Sequence, residues 1–96
     1  MRDMTFMIRR LKYPGRLAQA VDLSTGGMRF LYLGPRIPEG EEVLVQFWFK
    51  QKAFSFFGRA LRSARRGELG QDVALAFAGM DSMARNRLEV CLAPAT

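Results

Sequence analysis

Six times along this chain a run of residues alternates between apolar and polar at a period of two, and each run gives way to proline, glycine or a polar turn. Segments patterned in this way bury one face each and pair as antiparallel sheet, so a helical bundle is excluded as the main architecture. The runs are residues 5–13, 17–23, 28–33, 43–50, 53–63 and 71–77. In the first, Phe6 and Ile8 stand against Thr5, Met7, Arg9 and Leu11, and Pro14-Gly15 then reverses the chain. In the second, Leu17, Gln19, Val21 and Leu23 alternate with Ala18, Ala20 and Asp22. The fourth sets Val43, Val45, Phe47 and Phe49 on one face and Leu44, Gln46, Trp48 and Lys50 on the other; Val73, Leu75 and Phe77 point inward from the last.

Between the runs lie turn signals. Ser24-Thr25-Gly26-Gly27 is too short and too rich in glycine for regular structure and predicts a bend. Residues 34–42 hold two prolines, two glycines and three glutamates, which predicts a surface connection. Gln51 and Lys52 make a short polar turn, Gly58 marks a bulge or bend within the fifth strand, and residues 64–70 form a hairpin loop. Only the end has a helical period. Asp81 or Ser82 caps a helix through Leu92 whose Ala84, Leu88, Cys91 and Leu92 fall on one stripe, and Pro94 stops it. Six antiparallel strands followed by one amphipathic helix predict a mostly β fold: a small closed or nearly closed barrel, in one domain over residues 1–96.

Composition removes several functions. The 96 residues contain no histidine and one cysteine, so histidine acid/base chemistry, the usual zinc ligand sets and an intrachain disulfide are all excluded. No phosphate-cradling GxxxxGK motif is present, and the adjacent Glu41 and Glu42 read as solvated loop residues; an enzyme is not expected. The apolar stretch from Val43 to Phe49 is far shorter than the roughly 20 residues a membrane helix needs, and MRDMTFMIRR carries no signal-peptide core. Lone Cys91 fits a reducing, cytoplasmic compartment and, on the buried helix stripe, reads as a small apolar filler. Twelve of the fifteen cations are arginine and the net charge is +6. Such a balance serves solubility and also suits an anionic ligand.

Asp22-Leu23-Ser24-Thr25-Gly26-Gly27 is the segment that carries the most chemistry. In extended geometry Asp22 and Ser24 project to one side, a carboxylate and a hydroxyl together, and the two glycines leave the backbone bare. Taken alone, the hexapeptide also reads as an Asx or Ser/Thr turn, the commoner use of these residues. In context, Asp-x-Ser-x-x-Gly between two early strands, followed by Met28-Arg29-Phe30, resembles the signature of the PilZ family, bacterial receptors for cyclic di-GMP. FGRALRS at 57–63, DVALAF at 72–77 and the closing helix resemble the family's later segments in order and spacing, so the likeness runs from Thr5 to Leu92.

That resemblance implies a six-stranded antiparallel barrel with one C-terminal helix, and a ligand face at Asp22, Ser24 and Gly27. It also implies an Arg-x-x-x-Arg pair just before the first strand, and here the chain departs: Arg2 has Phe6 at the matching spacing. Arg9 and Arg10 lie next to each other in a strand and point to opposite faces, so at most one could turn to a ligand. The expectation is a module with Asp22, Ser24, Gly27, Arg2, Arg9 and Arg10 as a residual ligand face. It binds cyclic di-GMP weakly or not at all, needs no other cofactor or metal, and acts as an adaptor for a protein of motility, pilus or secretion machinery.

Two further patches bear on partners. Phe47, Trp48, Phe49, Phe54, Phe56 and Phe57 interleave with Lys50, Lys52 and Arg59, which resembles the stacking strands of OB-fold and cold-shock proteins; single-stranded nucleic acid is therefore the rival ligand. At strand period the phenylalanines read as core, which leaves Trp48, with Leu44, as a partner surface. Arg62, Arg65 and Arg66, with Glu68, read as a solvated hairpin tip or as a dock for an acidic partner.

Overall fold

The structure is a computed structural model that describes residues 4–78 and 82–92. Its elements are β1 (Met4–Arg9), β2 (Arg16–Leu23), β3 (Gly27–Leu33), β4 (Glu42–Phe49), β5 (Lys52–Arg66), β6 (Gly70–Ala78) and α1 (Ser82–Leu92). The strands close into a barrel in the order β1-β2-β3-β6-β5-β4, and the contact of β1 with β4 completes it. All six pairings are antiparallel. Successive connections must therefore alternate between the two barrel ends. The β1–β2, β3–β4 and β5–β6 connections share one end, and the β2–β3 and β4–β5 turns share the other with the start of the helix.

Alternation places the core as the sequence predicts for most strands. Phe6, Ile8, Phe30, Tyr32, Val43, Val45, Phe47, Phe54, Phe56, Val73 and Leu75 are buried together. Their rings interlock: Phe6 meets Phe30 edge-on at 5.2 Å, and Phe47 stacks on Phe54 at 5.2 Å. Leu88 and Cys91 of the helix join this core, with Ala84 and Leu92 partly buried beside it. Full burial of Leu88 contributes about 2 kcal/mol. Arg87 holds the helix near the start of β5, its guanidinium 5.4 Å from the Phe54 ring and donating to the Ala53 carbonyl at 3.5 Å. The capping role expected of Asp81 and the stop at Pro94 lie outside the described residues.

Several expectations change. The first strand ends at Arg9 rather than running to residue 13: Arg10 keeps the inward alternation of Phe6 and Ile8, but the ladders with β2 and β4 stop before it. The alternation of β2 breaks at Val21, where the β2–β3 register shifts by one: Ala18 and Ala20 face inward, Val21 and Asp22 both face out, and Leu23 returns to the core. Gly58 is not the bulge of β5. It pairs regularly with Val43 and Phe77, and its missing Cβ leaves room for Leu75, whose Cγ would stand 2.6 Å from it. The register instead shifts between Ala60 and Arg62. The strand continues to Arg66, so the hairpin loop shrinks from seven residues to Gly67, Glu68 and Leu69. The 34–42 connection is also less superficial than its composition suggests: Ile37 is fully buried, and its N–H donates to Gln71 Oε1 at 2.9 Å.

Candidate functional site

The β2–β3 hairpin is built by one inward residue with two outward neighbours. Leu23 is buried and pairs with Met28, so Asp22 and Ser24 on either side of it are exposed at the same barrel end. Ser24 does form the local turn. Its N–H donates to the Gly27 carbonyl at 2.9 Å, and its Oγ accepts from the Gly26 N–H at 3.3 Å. Asp22 does not: its carboxylate has no hydrogen-bond or ion-pair partner among the described residues. The hairpin therefore offers a carboxylate acceptor uncommitted to the fold, beside a hydroxyl that is only weakly engaged.

The two glycines of the turn serve it through space rather than through special dihedrals. Neither Gly26 nor Gly27 has a left-handed dihedral; positive φ among glycines occurs at Gly40 and Gly67. A Cβ at Gly27 would run into the Leu75 carbonyl oxygen of β6, so closure of the β3–β6 ladder itself demands glycine there. Gly26 has only Ser24 Oγ within range, at 4.0 Å.

The structure brings to this site a residue that the sequence reading quoted but did not assign. Arg29 is the register partner of Asp22, exposed, and unpaired among the described residues. Across β6, Arg29 is followed by Ala74 and then Arg62; one row away Gly27 is followed by Ala76 and Arg59. Neighbouring strands are about 4.8 Å apart, so the arginines flank a floor of small side chains about 10 Å wide. The place of Arg29 two residues after Gly27 was the available signal; the approach of Arg59 and Arg62 needed the register.

Arg9 and Arg10 are not brought to Asp22. β1 runs from Met4, opposite Ala20, to Arg9 at the far end, about 16 Å of strand. Arg9 Nε donates to Gln46 Oε1 at 2.8 Å. Arg10 is 7% exposed and binds Glu41 through two bonds, Nε to Oε2 at 2.6 Å and Nη2 to Oε1 at 2.8 Å, while donating to the Pro35 and Arg36 carbonyls at 2.6 and 2.8 Å. Its guanidinium also lies over the Tyr13 ring at 4.2 Å. The hydrogen bond to Glu41 raises its pKa above an already high value, so Arg10 stays charged at every accessible pH. Arg2 lies outside the described residues.

The remaining candidates separate. Trp48 is 70% exposed on the outer face of β4, beside a groove of about 530 Å³ that Thr5, Met7, Arg9, Gln46 and Ser55 also line. That face is three strands away from β3 in the ring. Phe47, Phe54 and Phe56 are core, so of the six aromatic residues only Trp48 and Phe57 are exposed and the run of stacking rings that nucleic acid would need is not formed. Arg62, Arg65 and Arg66 stand on β5 itself and not on the loop. Arg66 meets Asp72 at 3.2 Å, and Arg65 Nε donates to the Gly67 carbonyl at 3.2 Å. Among the described residues no cluster of His, Cys, Asp and Glu could hold a metal ion, and no helix is long and apolar enough to cross a membrane.

A closed six-stranded antiparallel barrel with its core filled by side chains, a helix after the last strand and polar groups offered from a rim hairpin defines a small binding module. A model of the PilZ domain family matches residues 4–93, and the chain belongs to that family, whose members are regulatory modules of cyclic di-GMP signalling. Among solved structures it is similar to the PilZ domain of CeSA from a cellulose-synthesizing bacterium, with a TM-score of 0.69 and 11% identity over 94% of this chain and 90% of that one. At that identity the likeness speaks for the fold. Comparison with curated proteins finds no match.

Proposed function

We propose that this chain is a PilZ module that engages cyclic di-GMP weakly, through Asp22 and Ser24, and acts mainly as a non-enzymatic adaptor for a protein partner in the cytoplasm. The observation that carries the reading is the separation of its charges. Asp22 is uncommitted at one end of the barrel, while Arg9 and Arg10 are spent on Gln46 and Glu41 at the other. Each charge-assisted arginine contact to phosphate contributes about 1.5–3 kcal/mol, so a module whose Arg9 and Arg10 are both held away from the ligand loses two or more orders of magnitude in affinity. Gly27 supports the hairpin by allowing the β3–β6 ladder to close, and Arg29 is placed to reach the same ligand as Asp22. No other cofactor and no metal enter this reading. The partner belongs to motility, pilus or secretion machinery, and Trp48 and the β5 arginines are the surfaces available to it.

Calorimetric titration with cyclic di-GMP tests the ligand half. A dissociation constant near the millimolar range that Asp22→Ala weakens further supports the reading. A low-micromolar constant sinks the weak-binding half of it.

A further inference from the structure

β5 is longer than the barrel needs, and its excess has one bare edge. Its ladder with β4 ends at Arg59 opposite Glu42, and the backbone of Ala60 is then met by Glu41 and Gly40, at 2.9 and 2.8 Å. On its other side the ladder with β6 continues to Arg66. Beyond the bulged Leu61, residues 62–66 are thus paired on one side only among the described residues. Residues 61–66 span about 17 Å of strand, and alternate residues present unpaired N–H and C=O groups to solvent. Leu61 at the start of this edge is 56% exposed.

Such an edge accepts an added strand unless its side chains forbid it. Here they forbid one occupant and favour another. Arg62, Ala64 and Arg66 face one side of the hairpin and Ser63 and Arg65 the other. A second copy pairing antiparallel about Ala64 would set Arg62 against Arg66 and Ser63 against Arg65, and like charges directly opposite are destabilising. A strand with carboxylates at alternate positions meets the same arginines with opposite charge. The bridge from Arg66 to Asp72 is exposed at both partners and costs little to exchange.

We infer that the free edge of β5 over residues 61–66 is a docking site for an extended acidic segment of a partner protein, bound by strand addition with its carboxylates opposite Arg62 and Arg66. It rests on the adaptor reading only in requiring a protein partner. Its Arg66 end is remote from the dinucleotide hairpin, whereas Arg62 lies in the row of Arg29 and is shared with that site.

The test uses the whole chain, amide-resolved hydrogen exchange and a capped peptide alternating Glu with Val. Alternate amides within 61–66 gain protection of about tenfold or more, and Arg62→Glu with Arg66→Glu abolishes the gain. A Lys-Val peptide gives none, and the Glu-Val peptide N-methylated at alternate residues on its pairing edge also gives none. Binding that survives N-methylation means charge attraction alone and overturns strand addition. So does protection on the Trp48 face instead, no protection at millimolar peptide, or protection that appears with protein concentration alone, which would assign the edge to a second copy. Addition of cyclic di-GMP to the unsubstituted protein in the same spectra reports on residues 22–29, so failure of either site is seen separately.

Discussion

Arg10 and Glu41 form a two-point ion pair in which the arginine side chain is nearly sealed from solvent and the carboxylate is about one-quarter exposed. They are 31 residues apart and join the end of β1 to the connection before β4. With Pro35 and Arg36 carbonyls also bound to the guanidinium, and Gln71 Nε2 donating to the Gly34 carbonyl at 3.1 Å, this network fastens the 34–41 connection across one mouth of the barrel.

Removing one partner of such a pair leaves a charge without compensation, so Glu41→Gln is expected to lower the unfolding free energy by about 2–3 kcal/mol, below the fully buried case because Glu41 is partly exposed. Urea denaturation measures it. Cyclic di-GMP affinity should change little, since the pair lies at the far end from Asp22; a large loss of affinity in the folded variant would return Arg10 to the ligand site.

Gly26 and Gly27 should respond very unequally to alanine. At Gly27 the added methyl meets the Leu75 carbonyl oxygen, and the ladder must open; a loss of about 2–4 kcal/mol is expected for overpacking against backbone. Gly26→Ala has open space and should stay within about 0.5 kcal/mol. Thermal melts of the two variants compare them directly, and equal effects would contradict the geometry.

The β4–β5 turn places Lys50 at φ 50° and Gln51 at φ 64°, the paired left-handed dihedrals of a two-residue hairpin turn. Side chains other than glycine and asparagine pay for that conformation, at roughly 1 kcal/mol each. Lys50→Asn with Gln51→Gly should therefore raise stability by about 1 kcal/mol and the melting temperature by about 4–8 °C. A lower melting temperature would show that the turn differs.

Exposure of Trp48 against burial of Phe47, Phe54 and Phe56 makes a fluorescence prediction. Emission should be typical of a hydrated indole and readily quenched by acrylamide. A single-stranded oligonucleotide at low salt should leave it unchanged; a salt-sensitive shift would revive nucleic acid as a ligand.

The sequence by itself determined the strand count, the identity of most core residues, the helix stripe and the hairpin that carries Asp22 and Ser24. These follow from periodicity and turn chemistry, which act between neighbours along the chain. It also suggested the family, because the hexapeptide is local. Only the tertiary structure decided which distant residues share a place. Nothing in the spacing of Arg9 and Arg10 shows that β1 carries them away from Asp22 while it lies alongside β2, or that Arg10 meets Glu41. The bulges at Val21 and near Leu61 were equally hidden, because a single extra residue in a ladder is set by the partner strand. The roles of Gly27 and Gly58 followed the same rule: both are glycine because of Leu75, which lies 48 and 17 residues away and comes into contact only when the barrel closes.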